Sequence, residues 1–177
     1  MFPIIETERL RLREITCEDA ANLFRCFSND HVTQYYGLEP FSTVEQAESL
    51  IEIFSTNYKE KRGIRWGIER KDAIGLIGTI GFNAWSPKHK RAEIGYEIHP
   101  DYWRKGYTKE AITEVLSFGF NEMELNRIGA IVFIENEASN QLLTTVGFHK
   151  EGVLKEYMYQ QGKAYDTYVY AMLKTKQ

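Results

Sequence analysis

Hydrophobic residues recur along the chain with two different spacings, and each spacing predicts a type of secondary structure. Apolar residues three or four positions apart, such as Ala47, Leu50 and Phe54, are typical of an amphipathic helix. Apolar residues that alternate with polar ones, such as Leu10 and Leu12, are typical of a half-buried strand. The pattern predicts seven strands, over residues 8–15, 64–70, 74–83, 91–99, 127–134, 148–159 and 165–173. It predicts four helices and an irregular segment at 31–40. Three helices cover residues 17–28, 106–120 and 137–146, and the other starts at a capping box in residues 42–46 and runs into a charged end at 59–63.

The order of these elements predicts an α/β fold with one mixed sheet. Strands in the middle of the chain alternate with single helices, which indicates a central parallel pair in a mostly antiparallel sheet flanked by about four helices. The sequence has no linker, internal repeat or low-complexity tract. We therefore expect residues 1–177 to form a single domain, since this length is usual for one.

Composition and charge argue against several classes of protein. Lys and Arg number 22 against 25 Asp and Glu, a formal net charge of -3, which argues against binding nucleic acid through bulk positive charge. No apolar run approaches the roughly 20 residues of a membrane span. Acidic residues begin at Glu6 with no long apolar segment after it, unlike a secretory signal. Cys17 and Cys26 fall on opposite faces of the predicted helix and cannot form a disulfide. We expect a cytoplasmic protein.

The strongest candidate for chemistry is a strand, a basic turn and a helix start within residues 93–111. Free N–H groups and the positive dipole at a helix N-terminus bind anions, and Gly106 would let the backbone approach a phosphate closely. Arg104, Lys105 and Lys109 add positive charge. The segment contains neither the GxxxxGK[ST] nor the GxGxxG pattern. From these residues alone, a phosphate site and an ordinary basic turn are about equally well supported.

Four segments in order give the chain a family resemblance. Residues 98–108, with the end of a strand, a proline and then Trp-Arg-Lys-Gly-Tyr-Thr, resemble motif A of the GNAT superfamily of N-acetyltransferases, Q/R-x-x-G-x-G/A. Trp103 stands in place of Gln or Arg, and Thr108 in place of the small residue. An aromatic residue there, followed by Thr-Lys-Glu-Ala, resembles the branch that acetylates the N-termini of bacterial ribosomal proteins. Residues 136–148 are similar to motif B, and residues 7–20 and 162–170 resemble the opening and the last hairpin of that branch.

The resemblance implies a GNAT fold and an acetyl-CoA-dependent N-acetyltransferase whose acceptor is the N-terminal α-amine of a protein, such as a ribosomal protein. Acyl transfer requires a neutral amine, donors for the oxyanion and a proton or hydrogen bond for the departing thiolate. An α-amine, with a pKa of about 8, and a lysine, with a pKa of about 10.4, both benefit from a base. The implied catalytic residues are Glu93 and Ser139. The implied acetyl-CoA-binding residues are Ile98, His99, Arg104, Lys105, Gly106, Tyr107, Thr108 and Asn136.

Several roles stay open at this point. Glu93 is the first choice for the general base, and Glu97 on the same strand face competes with it, as do Glu151 and Glu156. Leu143 stands where many family members have a tyrosine acid and cannot donate a proton.

Two further residues have alternative roles. Ser139 is expected to hydrogen-bond the departing sulfur, as the resemblance implies, or its own backbone. Asn136 is expected to reach the pantetheine amide, to cap a helix, or to do both.

Two other functions compete with acetylation of a protein N-terminus. One is acetylation of a small amine such as a polyamine or an aminoglycoside, and the other is binding of acyl-CoA without turnover. No metal is expected, because the four His and two Cys lack metal-ligand spacing. Neither a membrane nor a nucleic acid is expected as a direct partner. The Tyr-rich terminal hairpin would offer an edge for a homodimer.

Overall fold

The computed structural model describes residues 1–175, which form one eight-stranded sheet with helices packed against it. The strands are β1 (Ile5–Glu6), β2 (Leu10–Glu14), β3 (Ile64–Arg70), β4 (Leu76–Ser86), β5 (Arg91–Ile98), β6 (Arg127–Phe133), β7 (His149–Gln160) and β8 (Lys163–Leu173). The α-helices are α1 (Ala20–Phe27), α2 (Asp30–Thr33), α3 (Val44–Lys59), α4 (Tyr107–Asn121) and α5 (Glu137–Val146), and 3-10 helices lie at Cys17–Asp19 and Pro100–Tyr102. Within residues 1–175, no helix has the length and apolar character needed to cross a membrane.

The sheet is mixed, as the sequence predicts. Its strands follow the order β1-β2-β3-β4-β5-β6-β8-β7. Neighbouring strands are antiparallel except β5 and β6, which are parallel. The chain between these two strands contains α4, because a parallel pair requires a crossover connection. The predicted central parallel pair is therefore confirmed.

The structure has one strand and one α-helix more than the sequence predicts. β1 is two residues long, too short for any alternation to reveal, and Ile5 pairs with Leu12 of β2. α2 is one turn within the segment predicted to be irregular, and the Asn29 side chain caps it by accepting a hydrogen bond from the His31 N–H. Residues 17–19, predicted as α-helix, form a 3-10 turn, and β4 is displaced toward the C-terminus from its predicted bounds of 74–83.

Side chains alternate between the two faces of the sheet, and each face has its own apolar core. On one face, Trp66 and Ile94 are buried in a cluster with Val115 of α4. On the other face, Leu76 is buried in a cluster with Phe27 of α1 and with residues of α3. We call these the α4 face and the α1 face. The two sides of β5 therefore point into different environments.

β5 and β6 separate after a short paired region. Pairing runs from Arg91 opposite Arg127 to Glu93 opposite Gly129. Beyond these positions β5 continues along β4 and β6 continues along β8, and no further pair joins β5 to β6 in the described part of the chain. We call the gap between them the wedge. Backbone groups of β5 that point into the wedge lack the partners that a complete ladder would provide.

Candidate active site

A tight basic loop joins the end of β5 to the start of α4. It begins with the 3-10 turn Pro100–Tyr102. The Trp103 indole then donates a hydrogen bond of 2.6 Å to the Ile98 carbonyl oxygen, which fastens the loop to the strand. Gly106 is the N-cap of α4 and has a φ of 80°, a left-handed conformation that glycine adopts without strain. The predicted strand, basic turn and helix start are therefore present.

The first turn of α4 presents free amides to this loop. The first hydrogen bond of the helix runs from the Glu110 N–H to the Gly106 carbonyl oxygen at 3.1 Å, so the amides of residues 107–109 have no carbonyl partner inside the helix. Arg104 and Lys105 are exposed next to them, and the Lys105 ammonium donates to the Asp101 carbonyl oxygen at 2.8 Å. The loop thus combines free N–H groups, the positive end of a helix dipole and two cations, which suits a phosphate.

Arg9 anchors the loop from the N-terminal segment, a contact that sequence analysis misses. Its guanidinium donates to the Glu110 carboxylate at 2.7 Å and to the Lys105 carbonyl oxygen at 2.9 Å, and it lies 4.5 Å from the centre of the Tyr107 ring. Glu110 also accepts hydrogen bonds from the Thr7 hydroxyl and the Arg9 N–H. Burial alone would raise the pKa of Glu110, but these hydrogen bonds outweigh burial and lower it.

The end of β5 directs a backbone donor into the wedge. Ile98 lies opposite Gly78 of β4, and the next residue, His99, donates its N–H to the Ile77 carbonyl oxygen at 2.8 Å. In an antiparallel ladder, this arrangement means that the N–H and C=O of Ile98 point away from β4. The carbonyl accepts the Trp103 indole hydrogen bond, and the N–H faces the wedge. An extended ligand could therefore bind along β5 in place of a strand.

His99, predicted at the cofactor site, directs its imidazole toward the loop. Nδ1 accepts a hydrogen bond from the Asp101 N–H at 3.2 Å. Burial lowers the pKa of His99, and the nearby Arg25 cation lowers it further, while Asp101 acts in the opposite sense. The imidazole is therefore neutral at neutral pH and acts as an acceptor within the loop.

The N-terminus of α5 lies against β5 through side-chain contacts. Asn136 is the N-cap of α5, and its Oδ1 accepts a hydrogen bond from the Ser139 N–H at 3.2 Å. The Ser139 hydroxyl lies 2.6 Å from the hydroxyl of Tyr96. Tyr96 shares the α4 face of β5 with Ile94. The capping role of Asn136 is observed, and its contact with a pantetheine amide stays a prediction.

Glu93 and Glu97 share the α1 face of β5 but have different surroundings. Glu97 is buried, with Arg65 at 2.7 Å from its carboxylate and the Thr79 hydroxyl donating to it. Burial raises the pKa of Glu97, and the Arg65 cation opposes that rise. Glu93 is half-buried and lies opposite Gly129, at the last paired position before the wedge opens. Of these two carboxylates, Glu93 is the accessible one at the wedge.

The two other candidate bases lie on β7, which β8 separates from β6. Glu151 forms an ion pair of 2.6 Å with Arg127, and this hydrogen-bonded contact lowers the pKa of Glu151. Glu156 is exposed, and its N–H donates to the Asp166 carboxylate at 2.8 Å. The strand order thus favours Glu93 over both as the carboxylate at the wedge.

Aromatic side chains on the α1 face connect the two sides of the wedge. Tyr36 accepts a hydrogen bond from the Arg65 guanidinium, which also pairs with the Glu97 carboxylate of β5. The ring of the adjacent Tyr35 lies 6.1 Å from the Phe133 ring at the end of β6, and Phe133 stacks on Tyr165 of β8 at 5.0 Å. We call Tyr35, Phe133 and Tyr165 the aromatic floor. It lies on the same face as the accessible carboxylate.

The arrangement offers different chemistry on the two sides of the wedge. The α4 face carries the phosphate-type loop and the hydroxyls of Ser139 and Tyr96. The α1 face carries Glu93 and the aromatic floor. A phosphate-bearing ligand that occupies the wedge would thus meet, from the opposite side, a second ligand placed beside the Glu93 carboxylate. This geometry suits a direct transfer between two bound substrates.

Comparisons with known proteins agree with this reading. The family model of the acetyltransferase (GNAT) domain matches residues 9–149. YoaA of Bacillus subtilis, an uncharacterized N-acetyltransferase, is 60% identical over 177 residues, which is 100% of both chains. The solved structure of a GNAT-family acetyltransferase from Bacillus anthracis has a TM-score of 0.84 at 29% identity and covers 97% of this chain and 98% of its own.

More distant relatives differ in the acceptor that their names give. YdaF of Bacillus subtilis, a candidate ribosomal N-acetyltransferase, is 26% identical over 98% of this chain and 96% of its own. The spermidine N(1)-acetyltransferase of Vibrio cholerae is also 26% identical, over 95% of each chain. A solved structure of a candidate ribosomal-protein-serine acetyltransferase from Vibrio cholerae has a TM-score of 0.84 at 26% identity and covers 97% of this chain and 98% of its own.

Proposed function

The chain belongs to the GNAT family and is an N-acetyltransferase, and we propose that it transfers the acetyl group of acetyl-CoA to the N-terminal α-amine of a protein, such as a ribosomal protein. In this reaction a bond forms between the amine nitrogen and the acetyl carbon, and the bond between that carbon and sulfur breaks. The electron pair of the broken bond leaves with the sulfur, and the amine loses a proton. The products are an N-acetylated protein and CoA.

The wedge, with the loop at its end, is the observation that carries the proposal. The free amides of residues 107–109 and the cations of Arg104 and Lys105 would hold the pyrophosphate. The Ile98 N–H and Asn136 would hold the pantetheine arm, which has amides of its own to pair with β5. When bound, acetyl-CoA supplies an acetyl group activated as a thioester. The residues present therefore fit this co-substrate.

Three groups of the chain would act on the reacting atoms. Glu93 accepts the proton of the amine, directly or through a water, since it is a half-buried carboxylate at the last paired position before the wedge. The Ile98 N–H donates to the acetyl oxygen as negative charge develops there. The Ser139 hydroxyl donates a hydrogen bond to the departing sulfur. Each of these roles is a proposal that substitution can test.

The α1 face supports a peptide rather than a polyamine as the acceptor. The aromatic floor is built of uncharged side chains, Tyr35, Phe133 and Tyr165, and Glu93 lies on the same face at the last paired position of β5 and β6. A polyamine carries several positive charges and requires several carboxylates, because charges leave water only when they are paired. A protein N-terminus brings one amine and an extended backbone. Similarity to a candidate ribosomal N-acetyltransferase also supports this acceptor, and the spermidine relative makes a polyamine the alternative.

Mass spectrometry on candidate acceptors tests the proposal. The purified protein and acetyl-CoA are incubated with deacetylated ribosomal proteins, and intact masses and N-terminal fragments are then measured. One added acetyl group on a specific N-terminus is the expected result. CoA release with spermidine or an aminoglycoside, without acetylation of any protein, would replace the protein acceptor by a small amine. If no CoA is released with either class of acceptor, binding of acyl-CoA without turnover would remain as the function.

A further inference from the structure

We propose that Tyr96 is a positioning residue for acyl transfer: its hydroxyl donates to Ser139 Oγ and thereby directs the Ser139 O–H toward the departing sulfur. The inference rests on the proposed function, because it assigns a second hydroxyl to the same reaction. It is carried by one contact, the 2.6 Å separation of the two oxygens, which joins β5 to the N-terminus of α5 beside the wedge.

The chemistry of the two hydroxyls sets the direction of the hydrogen bond. A phenol is more acidic than an alcohol and is therefore the better donor, while its oxygen is the poorer acceptor because the ring delocalises its lone pair. A serine hydroxyl has one hydrogen to donate and two lone pairs to accept with. If Tyr96 donates, the hydrogen of Ser139 is free for a third group. In the described part of the chain, Tyr96 is the hydrogen-bond partner of Ser139 Oγ.

The backbone of Ser139 is fixed as well as its side chain. Its N–H donates to Asn136 Oδ1 at 3.2 Å, which sets the start of α5. A serine in the first turn of a helix otherwise tends to bond its own backbone. Here the hydroxyl is instead held by Tyr96, at the end of β5 that borders the wedge. The two contacts leave the Ser139 oxygen little freedom to turn away from the wedge.

Tyr96 keeps its proton over the physiological range. Burial raises the pKa of Tyr96 to about 12, although the hydrogen bond with Ser139 acts in the opposite direction. The phenol is thus a permanent donor at neutral pH. In the proposed step no proton passes through Tyr96. Ser139 donates a hydrogen bond to sulfur as the carbon–sulfur bond breaks, the amine proton goes to Glu93, and the released thiolate is later protonated by solvent.

Titration of bound CoA tests the inference without turnover. CoA is bound to wild type, Tyr96→Phe and Ser139→Ala, and the ultraviolet absorbance of its thiolate is followed against pH. We expect wild type to lower the pKa of the bound thiol. In Tyr96→Phe the acid dissociation constant of the thiol should be about threefold to tenfold smaller than in wild type, the range of one hydrogen bond. Ser139→Ala should lower the acid dissociation constant of the thiol by at least the same factor. A thiol pKa that is identical in wild type and Tyr96→Phe overturns the inference.

Tyr170→Phe is the matched control, because it removes another tyrosine contact with the same helix turn. The Tyr170 hydroxyl donates to Asn140 Oδ1 at 2.7 Å, next to Ser139 but not on it. If Tyr96 only fastened α5 to the sheet, Tyr170→Phe would raise the thiol pKa equally. We expect Tyr170→Phe to leave the thiol pKa unchanged. An equal rise in both variants overturns the inference in favour of a structural role.

Kinetics on an acceptor that wild type acetylates provide the second readout. Tyr96→Phe should lower kcat about threefold to tenfold with little change in the KM for acetyl-CoA. Combined with Ser139→Ala, it should cost no more than Ser139→Ala alone, since Tyr96 acts through that hydroxyl. Additive losses overturn the inference. If wild type binds CoA but acetylates no amine, the proposed function is wrong. If wild type is active and Tyr96→Phe has the same kcat, only the inference about Tyr96 is wrong.

Discussion

Glu93 and Glu97 have the same side chain and share one face of β5, yet they differ in burial and in their contacts. Glu97 is 6% exposed and paired with Arg65, so a substrate cannot reach it without breaking that pair. Glu93 is half-buried where the pairing with β6 ends. A buried pair resists loss of either partner, because the charge left behind is uncompensated. The two residues should therefore respond to substitution in different ways.

We expect Glu93→Gln to lower turnover at neutral pH, because the amide cannot accept the amine proton, and to leave the affinity for acetyl-CoA nearly intact. A general base contributes about 100-fold to 10,000-fold. The measurement is kcat against pH for wild type and variant with acetyl-CoA at saturation. The pH dependence of kcat that comes from ionisation of the base should disappear in Glu93→Gln. A pH profile that matches wild type would remove Glu93 as the base and leave the carboxylates of β7 as candidates.

Glu97→Gln is the companion variant, with stability as its readout. It leaves the Arg65 guanidinium buried without its partner carboxylate, so the free energy of unfolding should fall by about 3 kcal/mol. Denaturant unfolding of the two variants measures the difference. Glu93→Gln should unfold within about 0.5 kcal/mol of wild type, as expected for a side chain outside a buried pair. Equal losses in both variants would contradict this division of roles.

At the residue scale, the sequence predicts the composition of the site better than its contacts. The basic loop and the cap at Asn136 follow from local patterns, and the structure contains both. The alternation of β5 correctly places Glu93 and Glu97 on one face, but the Arg65 that buries Glu97 comes from another strand. The bond between Tyr96 and Ser139 joins residues 43 positions apart. Local patterns carry no information on such contacts.

At the element scale, α4 depends on a contact from outside the helix. Glu110, in its first turn, accepts from the Thr7 hydroxyl, the Arg9 N–H and the Arg9 guanidinium. A negative charge at this end also interacts favourably with the helix dipole. The same guanidinium donates to the Lys105 carbonyl oxygen, so the cluster fixes the loop as well as the helix. Loss of Glu110 should therefore affect both stability and the loop.

We expect Glu110→Gln to lower the free energy of unfolding by about 1 kcal/mol at neutral pH, a modest value because the Arg9 side chain is 42% exposed. Since the folded pKa of Glu110 is lowered, its contribution is complete above the unfolded pKa of about 4.3 and is lost as pH falls through the folded pKa. Wild type and variant should converge in acid. Glu114→Gln, on the same helix outside the cluster, is the control. A difference that persists in acid would contradict the assignment.

A buried side chain of the β7–β8 hairpin, Gln160, hydrogen-bonds the segment between α2 and α3. Gln160 donates to the carbonyl oxygens of Thr33 and Leu38 at 2.8 and 3.0 Å, and it accepts from the Gly37 N–H at 3.2 Å. This segment carries Tyr35 of the aromatic floor. Its position therefore depends on a residue of the hairpin far along the chain.

We expect Gln160→Ala to raise the KM for the acceptor while the KM for acetyl-CoA stays unchanged, because only the α1 face is disturbed. Losing hydrogen bonds to the segment should also cost about 1–3 kcal/mol of stability. Steady-state kinetics with each substrate varied in turn measure the split. Gln161→Ala, on the exposed neighbour, is the control. An equal rise in both KM values would contradict the separation of the two faces.

The elements that the sequence predicts best are those whose ends carry their own signals. α5 has its predicted bounds, because Asn136 caps its start and Gly147, with a φ of 112°, ends it. β1 is missed because two residues have no period, and its pairing with β2 is set by the sheet rather than by its own sequence. Propensity and period thus locate long elements, whereas sheet edges and single turns depend on tertiary contacts.

At the scale of the whole molecule, overall charge and local charge have opposite signs. The chain carries a net charge of -3, which repels a phosphate-bearing ligand at long range. The loop before α4 concentrates Arg104, Lys105 and free amides at one point. Binding of such a ligand should therefore depend on the local site. Because Arg104 and Lys105 are exposed, salt should screen their attraction.

Thermal unfolding with acetyl-CoA tests this balance on the intact protein. A ligand that binds only the folded state at 100 times its Kd stabilises it by about 2.7 kcal/mol. For a chain of this size that corresponds to a rise in Tm of roughly 5–10 °C. We expect the rise to shrink with added salt and to be smaller in Lys105→Gln, which loses a cation at the loop. Lys88→Gln, which removes one charge from an exposed turn elsewhere, should keep the wild-type rise. If the rise in Tm with acetyl-CoA were reduced equally in both lysine variants, overall charge rather than the loop would govern binding of the co-substrate. The pyrophosphate site would then have to lie elsewhere.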